Sequence, residues 1–88
     1  MAYKLFFTPE VDKKLEKMDA GVRKIILKWL KKNVDGCNNP KAHGRALSAN
    51  RAGQWRYRVG DYRVICLIDE GKLIVTAIDI GHRREIYK

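Results

Sequence analysis

The chain has few cysteines, few histidines and few acids, and each shortage excludes something. Two cysteines in 88 residues cannot build a disulfide framework, so a reducing, cytoplasmic setting is expected. Cys37, Cys66, His43 and His82 show no metal-ligand spacing, and neither a metal nor a cofactor is expected. There is no glycine-rich phosphate loop. No serine or cysteine stands beside a histidine in a nucleophilic arrangement. No run of about 18 apolar residues occurs, which excludes a membrane-spanning helix. The start, Met1-Ala2-Tyr3-Lys4-Leu5, lacks the basic segment and long apolar run of a secretory signal. Ten acidic residues face 19 lysines and arginines, a net charge of +9. Such a charge on a chain this short points to a polyanionic partner: nucleic acid, an acidic protein, or both in turn. The length suits one domain over residues 1–88, and no repeat or linker is visible.

The two halves carry their charge differently. Eight of the 9 basic residues in 1–40 are lysines, whereas 7 of the 10 in 41–88 are arginines: Arg45, Arg51, Arg56, Arg58, Arg63, Arg83 and Arg84. Lysine is a solvated point charge suited to a helix surface. Arginine is a planar fork that grips phosphate through two hydrogen bonds and tolerates partial burial. Phosphate handling is therefore expected in the second half.

Tyr3–Phe7 reads as a short strand. Thr8 then offers an N-cap, Pro9 suits the first helical position, and Glu10 favours the positive end of the helix dipole. Val11, Leu15 and Met18 make one apolar stripe. After Asp19-Ala20-Gly21, a wider stripe of Val22, Ile25, Ile26, Trp29, Leu30 and Val34 marks a longer helix, stopped by Gly36. Its lysines, Lys24, Lys28, Lys31 and Lys32, fall mostly off the stripe. They read as a solvated face or as a secondary nucleic-acid contact. Residues 37–53 lack periodicity, with Ala46-Leu47 as the only apolar anchor. Three strands follow: Gln54–Val59, Tyr62–Asp69 and Lys72–Ile80, joined by two-residue turns at Gly60-Asp61 and Glu70-Gly71. A basic tail runs from His82 to Lys88. The order β-α-α-β-β-β predicts an α+β fold with a helical hairpin packed on an antiparallel sheet.

With Gly60-Asp61 as the loop, Arg58 falls opposite Arg63 and Arg56 opposite Ile65. Like charges directly opposite destabilise a sheet. An anion between them turns that repulsion into binding. With Glu70-Gly71 as the second loop, Arg63 falls opposite Ile78, Ile80 points to the same face, and Gly81 ends the strand. Arg83 and Tyr87 then return towards the cluster. Exposed arginines kept apart by sheet twist are the plainer alternative.

Such a cluster suits metal-independent RNA cleavage. The 2′-hydroxyl attacks the adjacent phosphate and leaves a 2′,3′-cyclic phosphate and a 5′-hydroxyl. The enzyme orients the ribose, stabilises charge and moves two protons. Arginines supply the charge stabilisation, and a tyrosine whose pKa is lowered by cations can move a proton. Acid–base work by His43 and His82 is the competing route, although nothing in the sequence positions His43. Trp55 and Tyr57 suit base stacking or, on their alternate strand face, core packing.

The opening strand, the helical hairpin, the segment Trp55-Arg56-Tyr57-Arg58-Val59-Gly60-Asp61-Tyr62-Arg63-Val64-Ile65 and the closing Gly81-His82-Arg83-Arg84-Glu85-Ile86-Tyr87 are together distinctive. The chain resembles the RelE/ParE superfamily of toxins from type II toxin–antitoxin pairs over essentially its whole length. Arg83 and Tyr87 match the RelE-like branch. That resemblance implies the RelE-like microbial RNase fold and an mRNA interferase, an endoribonuclease that cleaves mRNA in the A site of the 30S ribosomal subunit and inhibits translation. It implies that Arg63 stabilises the transition state and Arg83 the leaving group, with Tyr87 as base or base-orienting group. Arg56 and Arg58 match a phosphate-binding pair that is lysine in the best-known pattern; arginine is the poorer proton acceptor, which favours Tyr87 as base over either. His82 is a further candidate proton carrier. Arg45 and Arg84 would add phosphate contacts. A RelB-like antitoxin is implied as partner, with operator DNA bound only through it, and no membrane contact. The alternatives are a ParE-like inhibitor of DNA gyrase and a non-catalytic nucleic-acid-binding module.

Overall fold

The computed structural model describes residues 2–47 and 53–82. Strand β1 (Lys4–Phe7) leads into helix α1 (Pro9–Lys17) and helix α2 (Ala20–Asn33). A short 3-10 turn over Pro40–Ala42 precedes β2 (Arg45–Ala46), β3 (Gln54–Val59), β4 (Tyr62–Asp69) and β5 (Ile74–His82). The five strands form one sheet in the order β1-β5-β4-β3-β2. It is mixed: β1 runs parallel to β5, and the other neighbours are antiparallel. The α+β architecture is as expected; the two-residue strand β2 and the parallel edge are additions to it.

Local chemistry sets the helix ends. The Thr8 side chain accepts from Val11 N at 3.2 Å, and Pro9 occupies the first turn. Asp19 caps α2, its carboxylate accepting from Gly21 N at 3.0 Å and Val22 N at 3.3 Å. Such caps contribute about 1 kcal/mol each. Val11 and Leu15 of α1 and Ile26, Leu30 and Val34 of α2 pack against Tyr57, Val59, Val64, Cys66, Val75, Ala77 and Ile80 on one face of the sheet. Ile25, expected in the apolar stripe, is instead 64% exposed.

The free edge of β1 is covered by the chain that leaves α2. Tyr3 N donates to Cys37 O, Gly36 N donates to Tyr3 O, and Leu5 N donates to the Asp35 carboxylate. A covered edge cannot template pairing with another chain.

The connection after α2 is anchored otherwise than expected. Ala46 is exposed, whereas Pro40 is buried. The fully buried Tyr57 donates its hydroxyl to Pro40 O at 2.5 Å. Burial, and secondarily the Cys66 and Cys37 thiols, push that hydroxyl's pKa well above its ordinary value, so it remains a donor. Trp55 Nε1 donates to His43 O at 2.6 Å. Core packing therefore claims Tyr57, and base stacking by this ring is excluded. Tyr57→Phe strands the Pro40 carbonyl and is expected to cost about 1–3 kcal/mol, read as a lower urea midpoint at unchanged slope.

The first hairpin has the expected register: Val59 pairs with Tyr62, Arg58 with Arg63 and Arg56 with Ile65. Gly60 sits at φ +60, in the left-handed region a primed turn requires. The second hairpin departs from expectation. Its turn spans residues 70–73, held by Lys72 N donating to the Asp69 carboxylate at 3.1 Å. Leu73, not glycine, takes the positive φ of 56, and its side chain packs against the core, which offsets the strain. A bulge follows: Cys66 pairs with Ala77 but Ile65 with Asp79, so Ile78 is extra. Arg63 therefore lies opposite Gly81 and not Ile78. Ile80 lies opposite Val64 and points into the core, and the strand continues through Gly81 to His82.

Candidate functional site

Side chains alternate across a strand, so the burial of Tyr57 and Val59 sends Arg56 and Arg58 to the face away from the helices. The hairpin register adds Arg63 to that face, and β2 adds Arg45 opposite Arg56. Arg45, Arg56, Arg58 and Arg63 line, with Gly44, a cleft of about 320 Å³. Two like-charge pairs, Arg45 with Arg56 and Arg58 with Arg63, thus face each other across adjacent strands.

Arg63 on β4 forms one flank of the cleft, and Gly81 of β5 lies opposite it in register. The other flank depends on Gly44, which has φ +79. A Cβ built there would lie 2.2 Å from Arg56 O and 2.8 Å from Trp55 Nε1. Only glycine allows the loop to approach this closely and deliver Arg45. Sequence reasoning missed Gly44; the one available hint was a glycine directly before an arginine in an aperiodic segment. It also left His43 without a positioning contact, whereas the ring packs edge-on against Trp29 at 5.6 Å.

The cleft can bind anions but offers no described proton acceptor. Its side chains are guanidiniums, which only donate. Neither histidine lines it; His82 pairs opposite Tyr62, its ring edge-on to that tyrosine at 5.5 Å, on the helix side of the sheet. Burial raises the pKa of the Cys66 thiol to about 12, and burial likewise raises that of Cys37, so both are protonated at neutral pH and unsuited to nucleophilic work. Among the described residues no cluster of metal ligands occurs. Arg83, Arg84 and Tyr87, the remaining expected site residues, lie outside the described residues. The strand that precedes them ends at His82, one register step from Gly81 and Arg63.

Opposed arginines trade stability for anion binding. Arg58→Thr relieves the repulsion with Arg63 and loses only an exposed 3.4 Å bond from Arg58 Nε to Gly60 O. In low-salt chloride it is expected to stabilise the fold by about 0.2–1 kcal/mol. Inorganic phosphate at matched ionic strength is expected to raise the melting temperature of the parent chain more than that of this variant.

A comparison with curated proteins finds no match. Solved structures do match. A chain of the toxin–antitoxin complex RelBE2 from Mycobacterium tuberculosis superposes with a TM-score of 0.83 at 23% identity, covering 94% of this chain and 93% of that one. The isolated E. coli RelE toxin gives 0.72 at 21%, covering 98% and 92%. The RelE–RelB complex from Pyrococcus horikoshii gives 0.69 at 17%, covering 94% and 97%. At these identities the likeness establishes the fold. The family model for the ParE toxin of the type II toxin–antitoxin system parDE matches residues 5–87. With nearly the whole length matched on a RelE-like fold, the chain belongs to the ParE toxin family of type II toxin–antitoxin systems, within the RelE/ParE superfamily.

Proposed function

We propose that this toxin is a ribosome-dependent mRNA endoribonuclease. The observation that carries the reading is the cleft itself: four arginines from three adjacent strands line it, and grouped guanidiniums suit an RNA phosphate. In this mechanism the 2′-hydroxyl attacks the neighbouring phosphorus, and the bond to the 5′-oxygen breaks. A 2′,3′-cyclic phosphate and a 5′-hydroxyl result. Arg63, on the β4 flank of the cleft, binds the charge that develops on the phosphoryl oxygens. Arg45, Arg56 and Arg58 hold the flanking backbone, with Arg84 as a further contact. Since guanidiniums cannot accept a proton, Tyr87 as its phenolate takes the 2′-proton, and Arg83 stabilises the leaving 5′-oxygen, which takes its proton from water. In this reading the ribosome presents the strand to the arginine cleft. A RelB-like antitoxin neutralises the toxin by setting acidic groups over the arginines, and operator DNA is bound through that antitoxin.

The ParE family match favours a second reading, inhibition of DNA gyrase. Induction of the chain in bacteria, with mapping of mRNA 5′ ends and of chromosomal breaks, separates the two. Breaks within translated codons are expected. Growth arrest with intact mRNA and damaged or relaxed DNA would overturn the nuclease reading for the gyrase one. RNA binding with a steep salt dependence and no cleavage would leave a plain binding module.

A further inference from the structure

A second pocket adjoins the arginine cleft and is built from different chemistry. Glu10 and Lys14 of α1, Gln54 of β3, Ile65 of β4 and Ile78 and Asp79 of β5 line a space of about 660 Å³. Register fixes its place. Ile65 pairs directly with Arg56, and Gln54 precedes Arg56 by two residues, so both share a sheet face with that arginine. A two-residue step along a strand is about 7 Å, comparable to the reach from a nucleotide's phosphate to its base. The floor is apolar: Ile65 is 2% exposed, although it stands outside the core on the helix side. Both residues at the β5 bulge, Ile78 and Asp79, line the pocket. Bulges beside functional sites re-aim side chains in this way. The polar rim has bonding capacity left over. Asp79 Oδ1 accepts from Lys14 Nζ at 2.5 Å and from Ile80 N at 2.9 Å. Among the described residues, Asp79 Oδ2, the Glu10 carboxylate and the Gln54 side-chain amide have no hydrogen-bond partner.

Two carboxylates over an apolar floor suit a flat ring that offers hydrogens. We propose that this pocket holds the base of the nucleotide whose phosphate lies in the arginine cleft, and that it selects an amino-bearing base against uracil. The inference rests on the nuclease reading, which puts an RNA phosphate in the cleft. The exocyclic amino group of adenine, cytosine or guanine has two hydrogens, one for Glu10 and one for Asp79. Lys14 supplies a donor for the ring acceptor beside that amino group, and Gln54 can turn its amide to donate or accept. Uracil offers a single N–H between two carbonyls, so one of its carbonyl oxygens faces a carboxylate. A lone cation would be repelled by Lys14 and by the arginines of the adjoining cleft, and so would a basic side chain of a partner protein.

The test uses the full chain and labelled 2′-O-methyl RNA pentamers, which have no 2′-hydroxyl to attack, with one variable base among uridines. By fluorescence anisotropy, pentamers with a central adenine, cytosine or guanine are expected to bind at least about fivefold more tightly than pentauridine. Glu10→Gln and Asp79→Asn are each expected to bring that ratio below about twofold, while pentauridine binds as before or more tightly because a negative charge is gone. Glu10 is exposed, so its variant tests the pocket even if Asp79→Asn disturbs the strand. Glu16→Gln removes a carboxylate from an exposed position of α1 that does not line the pocket, and it should keep the ratio. Arg63→Ala should weaken all the pentamers alike. Equal affinity for the four pentamers would overturn the proposal. So would a ratio that survives Glu10→Gln, or absence of binding. Base preference without ribosomal cleavage would overturn the nuclease reading alone, and cleavage without base preference would overturn this proposal alone.

Discussion

Arg63→Ala is expected to reduce codon-specific cleavage by translating ribosomes about 10²–10³-fold, the usual loss when one donor to a developing oxyanion is removed. The size of the effect follows from where Arg63 sits. It is half-buried on β4, the central strand of the sheet, paired with Arg58 on one side and Gly81 on the other. A half-buried guanidinium acts through a lower local dielectric than an exposed one. Arg58, exposed at the hairpin end, is expected to matter less, and mainly through substrate affinity. Removal of Arg63 also relieves the repulsion with Arg58, so Arg63→Ala should fold at least as well as the parent in that respect. The measurement is a single-turnover cleavage assay on programmed ribosomes beside a thermal melt. A folded variant that retains cleavage within about threefold of the parent would remove Arg63 from the chemistry.

The legible parts of this chain are those fixed by short-range chemistry. Thr8 with Pro9 and Asp19 name their own helix starts, because side-chain caps act within three residues. Gly60-Asp61 fixed the first hairpin, because a two-residue primed loop leaves one register. The arginine pair across it was therefore visible before any fold was known. The second hairpin was not legible for physical reasons. Glu70-Gly71 looks like the same kind of turn, but Gly71 is not the residue at positive φ; Leu73 is, and its burial in the core is a tertiary effect. The bulge at Ile78 was hidden for a related reason. Buried positions of β5 are odd-numbered at Val75 and Ala77 and even-numbered at Ile80, so the alternation changes phase inside the strand. A nearly continuous apolar run gives no sign of such a change.

That phase change has two consequences near the C-terminal end of β5. It falls beside Asp79, whose carboxylate accepts from Lys14 Nζ of α1 at 2.5 Å. Both side chains are about half-exposed, so the pair contributes at most about 1 kcal/mol. It also puts Gly81, not a branched side chain, beside Arg63. Arg63 itself forms one wall of the cleft.

The other wall depends on a single hydrogen atom. Gly44→Ala is expected to destabilise the chain by about 3 kcal/mol or more, placing it among the severe single substitutions. A left-handed φ of +79 costs a non-glycine residue roughly 1–2 kcal/mol by itself. The added methyl would also meet Arg56 O at 2.2 Å and Trp55 Nε1 at 2.8 Å. Neither atom can yield cheaply: the first is backbone of β3, and the second is held by its bond to His43 O. Relief requires the loop to lift, which breaks the Trp55 bond and the pairing of Arg45 with Arg56. Arg45 then leaves the cleft. The loss should therefore exceed the stability effect alone: at a temperature where the variant is still folded, phosphate should stabilise it less than the parent. Melting curves with and without phosphate, read through tryptophan emission, measure both quantities. An unchanged melting temperature would mean that the loop approaches β3 less closely than its geometry indicates, and Arg45 would then no longer belong to the site.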